Sequence, residues 1–390
     1  MTAEKLGAAF AALGLLLSCG RGGTGAAALS GAAPEPPAPT FASASAASGM
    51  VSSTASVSAA PVGLPPALGV LVQVDEPAMG TKLHFVAYTT DALSEEAIRT
   101  AMHHAAEEVR RVEGIMTTWR DDSELSAINR GAGKPVSVGP EAYEVIERSL
   151  WAGKISGGTF DITFHTMGGL WKFGDAEDAV PKAPDPREVT RLRKLVDYRL
   201  IKLDPKTRSV TIPEGRKIDL GGIAKGYAVD CASRVLSKAG LVNFLAQAGG
   251  DLYGAGKKPD GSHWVSGIQD PRGPDGAYFA TIELENRAFS TAGDYARAYL
   301  VDGKRYHHII DPRTGYPATA SRSVTVWAPD AFVADAVDDG VFILGPKKGL
   351  ELVESLDGVG AVIVDKDNKV WVSKRLEGKV KILRPPTDGL

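Results

Sequence analysis

Cysteine, net charge and long apolar runs are all scarce in this sequence of 390 residues, and each shortage excludes a class of protein. Two cysteines cannot build a disulfide scaffold or a cysteine-based zinc site. A net charge of −3 leaves no basic surplus to neutralise phosphates, so we expect no nucleic-acid partner. No apolar run reaches the ~18–20 residues that span a bilayer, which excludes a polytopic membrane protein. With 44% hydrophobic side chains, the chain can still bury a core.

The N-terminus has the pattern of an export signal. Lys5 precedes an uncharged stretch, residues 6–17, and Ser18 and Cys19 follow it. This stretch is too short for a stable membrane span and is typical of a signal peptide. Its Leu-Leu-Ser-Cys ending resembles a bacterial lipobox, so we expect removal of residues 1–18 and a lipid on Cys19. An ordinary signal peptide with an incidental cysteine is the alternative.

Residues 20–66 are poor in the side chains that build a core. Of these 47 residues, 38 are Ala, Gly, Pro, Ser or Thr, and only Arg21 and Glu35 are charged. Such a segment cannot bury enough apolar surface to offset the entropy lost on ordering. We therefore expect residues 19–66 to be the lipidated cysteine and a disordered tether, followed by one folded domain over residues 67–390.

Strand and helix patterns are interspersed through the rest of the chain. Strands are predicted over residues 71–74, 83–87, 242–246, 264–269, 280–284 and 323–327, and a hairpin around 365–368. Helices are predicted from Ser94, from Pro140, over residues 223–239, over 332–344, and in a short piece up to 356. Because strict βαβ alternation is missing, the prediction is an α+β fold.

Two glycine-containing segments are candidates for contact with a ligand. In residues 157–163 a glycine turn precedes the pair Phe160 and Asp161. In residues 218–227 a strand ends at Asp219, two glycines follow, and a helix begins with Lys225 in its first turn. Such a helix terminus offers unpaired N–H groups and a positive dipole to a phosphate. A plain strand-to-helix turn is the alternative.

Histidine and aspartate supply the remaining candidates. His307 and His308 lie in a strand pattern whose alternation lets only one of them face a pocket, where histidine can act as a general base. Asp335, Asp338 and Asp339 stand at i, i+3 and i+4 of an otherwise apolar helix. Clustered carboxylates suit Mg²⁺, and a solvated acidic face is the alternative.

Taken together, these segments resemble the ApbE family of flavin transferases, which attach FMN from FAD to a threonine of another protein. The matching pieces follow the family's order: Met79-Gly80-Thr81, Met116-Thr117-Thr118-Trp119, Ser123-Glu124-Leu125-Ser126 with Asn129, Gly158-Thr159-Phe160-Asp161, residues 219–227, Gly249-Gly250-Asp251, residues 290–295, residues 308–315 and Ala334-Asp335. The resemblance covers about residues 74–364 and implies the family's T-fold-like body.

The resemblance also implies a set of binding residues. FAD would lie among Met79, Trp119, Thr159, Phe160, Asp161, Asp219, Lys225 and Ile309. Mg²⁺ would be held by the carbonyl of Gly222 and the carboxylates of Asp335 and Asp339, with Asp338 beside them. The family usually has Tyr at the place of Trp119 and Thr at the place of Asp339. The first change keeps an aromatic face, and the second adds a negative charge to the metal site.

The activity implied is Mg²⁺-dependent transfer of FMN from FAD to an acceptor threonine, with release of AMP. His308 would assist deprotonation of the hydroxyl, with Asp294 or Asp311 orienting the imidazole. We expect the acceptor to be a membrane or periplasmic redox protein and this chain to be a membrane lipoprotein facing the periplasm. Two alternatives stay open: a Mg²⁺-dependent FAD pyrophosphatase that yields FMN and AMP, and a lipoprotein that only binds flavin.

Overall fold

The computed structural model describes residues 69–171, 173, 183–301 and 303–389. The predicted signal peptide, Cys19 and the tether lie outside these residues. The helices are α1 (Glu95–Met116), α2 (Glu124–Arg130), α3 (Pro140–Ile155), α4 (Pro186–Arg193), α5 (Ala224–Lys238) and α6 (Ala331–Glu354), with 3-10 turns at Ile162–Met167, Tyr198–Leu200 and Lys374–Leu376. No helix among the described residues is both long enough and apolar enough to cross a membrane.

Eighteen strands accompany these helices in the described ranges. They are β1 (Leu71–Ala78), β2 (Thr81–Tyr88), β3 (Val136–Ser137), β4 (Lys202–Asp204), β5 (Ser209–Thr211), β6 (Phe244–Ala248), β7 (Asp251–Ala255), β8 (Trp264–Gln269), β9 (Tyr278–Leu284), β10 (Arg287–Gly293), β11 (Ala298–Val301), β12 (Lys304–His307), β13 (Ile310–Asp311), β14 (Tyr316–Pro317), β15 (Ser321–Ala328), β16 (Gly360–Asp365), β17 (Val370–Val372) and β18 (Val380–Ile382). The predicted α+β class is confirmed.

An eight-stranded antiparallel sheet is the centre of the fold. Its strand order is β1-β2-β6-β7-β10-β15-β16-β17. One face packs against α1, α5 and α6, and the other packs against a three-stranded sheet of order β18-β9-β8. Strand β16 shows both contacts, because Ala361 and Ile363 join the helix-side core while Val362 and Val364 join the opposite one. The central strands are therefore buried on both faces.

Local chemistry explains where the main helices begin and end. Ser94 caps α1 by accepting a hydrogen bond from the N–H of Ala97, and Pro140 stands at the start of α3. Helix α6 is interrupted at Gly345, whose φ of 74° is non-helical, and Pro346 follows. The predicted division of this region into two helices near residue 344 is therefore confirmed.

Candidate active site

A pocket opens where the N-terminus of α5 meets the loops around residues 160 and 310. The predicted residues that line it are Thr159, Phe160, Asp161, Asp219, Gly222, His308, Ile309 and Asp339. Residues that were not predicted complete its walls: Ile162, Phe164, His165, Ile310, Pro312 and Ile343. Residues that are distant in sequence therefore surround one cavity.

The glycine turn before α5 is held in shape by side-chain hydrogen bonds. Asp219 Oδ1 accepts from the N–H of Gly221 at 2.7 Å, and its Oδ2 accepts from Thr118 Oγ1 at 3.0 Å. Asn129 bonds both the N–H and the C=O of Ile218 through its amide. The turn that carries Gly222 into the pocket is thus fixed from two sides.

The segment from Thr159 to His165 forms a second wall. Thr159 Oγ1 donates to the carbonyls of Ser156 and Gly340, both at 3.1 Å, so its hydroxyl joins α3 to α6. Asp161 accepts from the N–H and the hydroxyl of Thr163 and from the N–H of Tyr198. Burial nevertheless raises the pKa of Asp161, because these hydrogen bonds offset only part of the lost solvation. Through these hydrogen bonds, the side chains of Thr159 and Asp161 hold this wall of the pocket in place.

His308 follows directly after β12 and faces the pocket. Its Nδ1 is buried and has no hydrogen-bond partner among the described residues. Burial, together with His307 and Arg297, lowers the pKa of His308 to about 4, so the imidazole is neutral at pH 7. A neutral imidazole in a pocket can accept a proton.

His307 faces away from the pocket, as the alternation predicted. Its Nε2 donates to the carbonyl of Ala318 at 2.8 Å, and its Nδ1 accepts from the N–H of Ile309 at 3.3 Å. These two bonds define the tautomer, and the second of them joins the two residues that flank His308. His307 therefore fixes the backbone from which His308 projects.

The orienting role that we expected for Asp294 or Asp311 is not met in the structure. Both oxygens of Asp294 pair with Arg272, at 2.6 and 2.7 Å, and this ion pair is buried. Asp311 pairs with Arg313 and also accepts from that residue's backbone N–H. Because a charged guanidinium bonds a carboxylate more strongly than a neutral imidazole does, the two arginines take these carboxylates.

Beside the pocket, α6 brings three carboxylates to the first turn of α5. Asp335 Oδ2 accepts from the N–H of Gly226 at 2.8 Å, and its Oδ1 lies 3.6 Å from Lys225 Nζ. Asp338 accepts from Ser290 Oγ at 2.6 Å and from the N–H of Asp339. An alternative for these carboxylates was a solvated acidic face. Burial of Asp335 and Asp338 excludes it.

The charges in this cluster are incompletely compensated. Burial and the carboxylate of Asp251 raise the pKa of Asp335 to about 7, although Lys225 opposes the shift. Burial also raises the pKa of Asp339 to about 6, and that of Asp338 well above its ordinary value. Lys225 is the cation that contacts this cluster in the described part of the chain. A divalent cation would supply the missing positive charge.

The donor set fits such a cation on one side of the cluster. A Cβ built on Gly222 would lie 3.2 Å from Asp339 Oδ2, so the glycine backbone and this carboxylate are adjacent. A carbonyl and two carboxylates are hard oxygen ligands of the kind that Mg²⁺ prefers. Asp338 differs, because both of its oxygens already accept hydrogen bonds. The residues that fit the ion are therefore Gly222, Asp335 and Asp339.

A second group of side chains has ligand atoms that lie closer together, but these side chains are unsuited to binding a metal ion. Within the described ranges, Glu108, Glu141 and Cys231 are the one set of three acidic, histidine or cysteine residues with ligand atoms all within 4.8 Å of one another. Arg111 pairs with both glutamates, and burial raises the pKa of the Cys231 thiol to about 11. A protonated thiol beside satisfied carboxylates is a poor metal ligand.

Three of the predicted FAD residues, Met79, Trp119 and Lys225, lie outside the pocket wall. Lys225 is the one that pairs with Asp251 and Asp335. Trp119 is 95% exposed and follows Thr118, whose hydroxyl bonds Asp219, so a free aromatic face stands near the glycine turn. Met79 occupies the two-residue turn between β1 and β2 with a φ of 51°, and Gly80 follows with 64°. The exposed indole of Trp119 is available for stacking on a planar ring.

Sequence reasoning assigned no role to two titratable residues of this region. His165 lines the pocket from the 3-10 turn Ile162–Met167, and burial lowers its pKa. Asp251 is fully buried, and its Oδ2 accepts from Lys225 Nζ at 2.6 Å. Asp161 caps the 3-10 turn that carries His165, so a capping aspartate just before this segment was the sequence feature that could have placed His165 near the pocket. Asp251 was part of a motif but had no role assigned to it.

Comparison with known proteins agrees with this geometry. The sequence pattern of the ApbE family matches residues 79–363. The FAD:protein FMN transferase of Treponema pallidum is 33% identical over 303 residues, which are 72% of this chain and 83% of that protein. The ApbE protein of Thermotoga maritima has a similar structure, with a TM-score of 0.72, 32% identity, and coverage of 80% of this chain and 99% of that one.

A flavin transferase ApbE from Vibrio cholerae is similar too, with a TM-score of 0.69 and 27% identity over 80% of this chain and 99% of that one. A family match over most of the described body, joined to relatives above 30% identity, defines the class of the protein. The chain belongs to the ApbE family. It is an enzyme of the flavin transferase class.

Proposed function

We propose that this protein transfers FMN from FAD to a threonine hydroxyl of an acceptor protein, with Mg²⁺ bound, and releases AMP. One observation carries the proposal: a single pocket combines His308 with Gly222 and Asp339 at the N-terminus of α5. A base for the hydroxyl, a helix terminus for a phosphate and ligands for a cation are thus adjacent. The relatives named FAD:protein FMN transferase support the same reaction.

The proton and the bonds can be followed through the reaction. The threonine oxygen forms a bond to the FMN phosphorus, and the bond from that phosphorus to the bridging oxygen breaks. The bridging oxygen leaves with AMP, and His308 takes the proton of the hydroxyl. Free His308 has a pKa of about 4, but the negative pyrophosphate of FAD would raise it toward neutrality.

The chain's own residues prepare the phosphate site. Asp219 shapes the turn at Gly221 that leads into α5, a helix of 15 residues, and the positive end of this helix's dipole would favour a phosphate beside Gly222. Gly222, Asp335 and Asp339 would hold Mg²⁺. When bound, the ion neutralises charge on the pyrophosphate and stabilises the leaving phosphate of AMP.

An assay of three products tests the proposal. The full-length protein is incubated with FAD, Mg²⁺ and a purified periplasmic redox protein that carries the target threonine. We expect flavin fluorescence on the denatured acceptor band together with AMP, and neither product when that threonine is replaced by alanine. AMP with free FMN and no labelled acceptor would instead identify a pyrophosphatase. Binding of FAD without AMP would identify a protein that only stores flavin.

We also propose where the reaction takes place. The pattern that ends at Cys19 supports an exported lipoprotein, and the tether up to residue 66 is long enough to separate the catalytic body from the lipid. In this arrangement the enzyme faces the periplasm and is attached to the membrane only through its N-terminal lipid. Its acceptor would then be a membrane-bound or periplasmic redox protein.

A further inference from the structure

Asp251 is a buried carboxylate whose one side-chain hydrogen bond among the described residues is with Lys225. It begins β7, and its side chain is fully enclosed. Its Oδ2 accepts a 2.6 Å hydrogen bond from Lys225 Nζ. Its Oδ1 is buried and has no hydrogen-bond partner among the described residues. Because an unpaired charge is strongly unfavourable in such a place, the ammonium of Lys225 is what compensates this carboxylate.

Lys225 lies between two carboxylates and favours one of them. Its Nζ is 2.6 Å from Asp251 Oδ2 and 3.6 Å from Asp335 Oδ1. The first distance is a hydrogen bond, whereas the second is beyond the usual range for one. The other oxygen of Asp335 accepts from the N–H of Gly226. Asp335 Oδ1 therefore forms a longer ion pair with the lysine but accepts no hydrogen bond from it.

We propose that Asp251 is a positioning residue that draws Lys225 away from Asp335 and so leaves Asp335 Oδ1 available to the cation. The inference rests on the metal-dependent function proposed above. If Asp251 loses its charge, Asp335 becomes the strongest acceptor within reach of the ammonium. Lys225 then pairs with Asp335 and competes with Mg²⁺ for the same oxygen. Asp251 acts through Lys225 and needs no contact with the ion or with FAD.

A double-mutant cycle on the full-length protein tests this inference, with Mg²⁺ alone as the probe and calorimetry as the measurement. Asp251→Asn keeps the shape of the side chain, and we expect it to weaken Mg²⁺ binding about tenfold, or ~1.4 kcal/mol. In a Lys225→Met background no ammonium competes, so the same substitution should change the affinity by less than about twofold. Lys225→Met alone should bind Mg²⁺ at least as tightly as the wild type.

Asp365→Asn is a matched control. Asp365 is also buried and accepts from Trp371 Nε1, but it lies at the end of β16 away from the cluster. The Asp365→Asn substitution should lower the melting temperature and leave the Mg²⁺ affinity unchanged.

Equal weakening by Asp251→Asn with and without Lys225 would overturn the proposal, because Asp251 would then act through its own charge. Weaker binding by Lys225→Met would overturn it too, and this measurement does not depend on the folding of any Asp251 variant. A wild-type protein that binds no Mg²⁺ would refute the metal site itself, and with it the metal dependence of the proposed function.

Discussion

The backbone N–H of Gly226 donates a 2.8 Å hydrogen bond to Asp335 Oδ2, and a Cβ built on Gly226 would lie only 2.6 Å from the Cβ of Asp335. Helices α5 and α6 therefore meet at this point without an intervening side chain. The close approach lets the first turn of α5 hold a carboxylate of the candidate cation site. One glycine thus serves both the packing of the helices and the chemistry of the site.

Gly226→Ala should destabilise the protein and disturb cation binding. The added Cβ would lie 2.2 Å from the carbonyl oxygen of Ala331, a backbone atom that cannot rotate away. We expect a loss of about 1–3 kcal/mol from overpacking, which exceeds the ~1 kcal/mol that alanine gains over glycine in a helix. Urea unfolding and a Mg²⁺ titration would measure the two effects.

Gly114→Ala is the control for that substitution. Gly114 also lies in a helix, α1, but its added Cβ would meet only Arg120 Nη1, at 3.8 Å. We expect unchanged stability or a gain of up to ~1 kcal/mol. If Gly226→Ala behaved like Gly114→Ala, the close contact between α5 and α6 would not be what determines the stability of this region.

Asp335→Asn should separate stability from cation binding. Asparagine keeps an acceptor for the N–H of Gly226 but brings no negative charge, and Asp335 is buried beside other carboxylates. Removing that charge relieves repulsion at pH 8, so the melting temperature of the metal-free protein should stay the same or rise. The increase in melting temperature on adding Mg²⁺ and FAD should disappear, and flavin transfer with it.

Asp335→Ala provides a comparison, because it also removes the acceptor of the Gly226 N–H. An unpaired buried N–H costs about 1–3 kcal/mol, so the alanine variant should melt below the asparagine variant. Transfer of flavin by Asp335→Asn at the wild-type rate would refute this residue's role in the metal site.

Local sequence patterns were sufficient for elements whose ends depend on nearby residues. Ser94 and Pro140 correctly predicted the starts of α1 and α3, because capping involves contacts within one turn. The strand expected over residues 242–246 is instead Phe244–Ala248, since its register is determined by pairing with β2. Strand β18 was missed because its partner β9 lies about a hundred residues earlier.

In the candidate site, too, local sequence patterns predicted some features, whereas others depend on contacts between distant parts of the chain. The spacing of Asp335, Asp338 and Asp339 correctly predicted that their carboxylates lie together, because helical periodicity alone places them on one face of α6. It could not show that Asp294 pairs with Arg272, since nothing in the spacing tells which cation a carboxylate will meet. The hydrogen bond between Lys225 and Asp251 joins a helix to a strand and needed the tertiary structure.

Cys19→Ala should release the protein from the membrane. Cys19 is the residue that we expect to carry the lipid, and one or more acyl chains are what would hold the folded body at a bilayer. We expect the variant to leave the membrane fraction or to accumulate unprocessed, as measured by fractionation and by migration on a gel. A variant that fractionates and migrates like the wild type would contradict the lipid anchor.

Asp230 should contribute a pH dependence to stability. Its carboxylate accepts from the N–H groups of Ala331 and Phe332 at the start of α6, yet burial raises its pKa to about 7. Asp330 adds to the shift, whereas Arg234 opposes it. The folded state thus binds the proton more tightly than the unfolded state. Its contribution to stability is complete below about pH 4 and is lost as the pH rises toward 7.

Asp230→Asn titrates nowhere in this range and is the direct test. The difference in unfolding free energy between the variant and the wild type should shift in favour of the variant from pH 4.5 to pH 8, as measured by urea unfolding. A difference in unfolding free energy that is the same at every pH would reflect the weaker pairing of the asparagine amide with the N–H groups of Ala331 and Phe332. If the two proteins had parallel pH dependences, Asp230 would not be ionising with a raised pKa.

The adjacent histidines should have opposite phenotypes. His308→Ala removes the candidate base and a buried nitrogen without a partner, so the melting temperature should stay the same or rise. Flavin transfer should be lost, whereas FAD affinity should stay within about tenfold, because the base acts on the acceptor hydroxyl. Kinetics of transfer, FAD titration and thermal unfolding would measure the three quantities.

His307→Ala is the matched variant. It leaves the carbonyl of Ala318 and the N–H of Ile309 without their partner, so it should lower stability by about 1–3 kcal/mol. Transfer should fall less than in His308→Ala, because the imidazole that faces the pocket is still present. A large loss of stability in His308→Ala, or normal transfer by it, would contradict the assignment. Equal loss of transfer in both variants would mean that the loop as a whole, rather than the His308 imidazole, determines the rate.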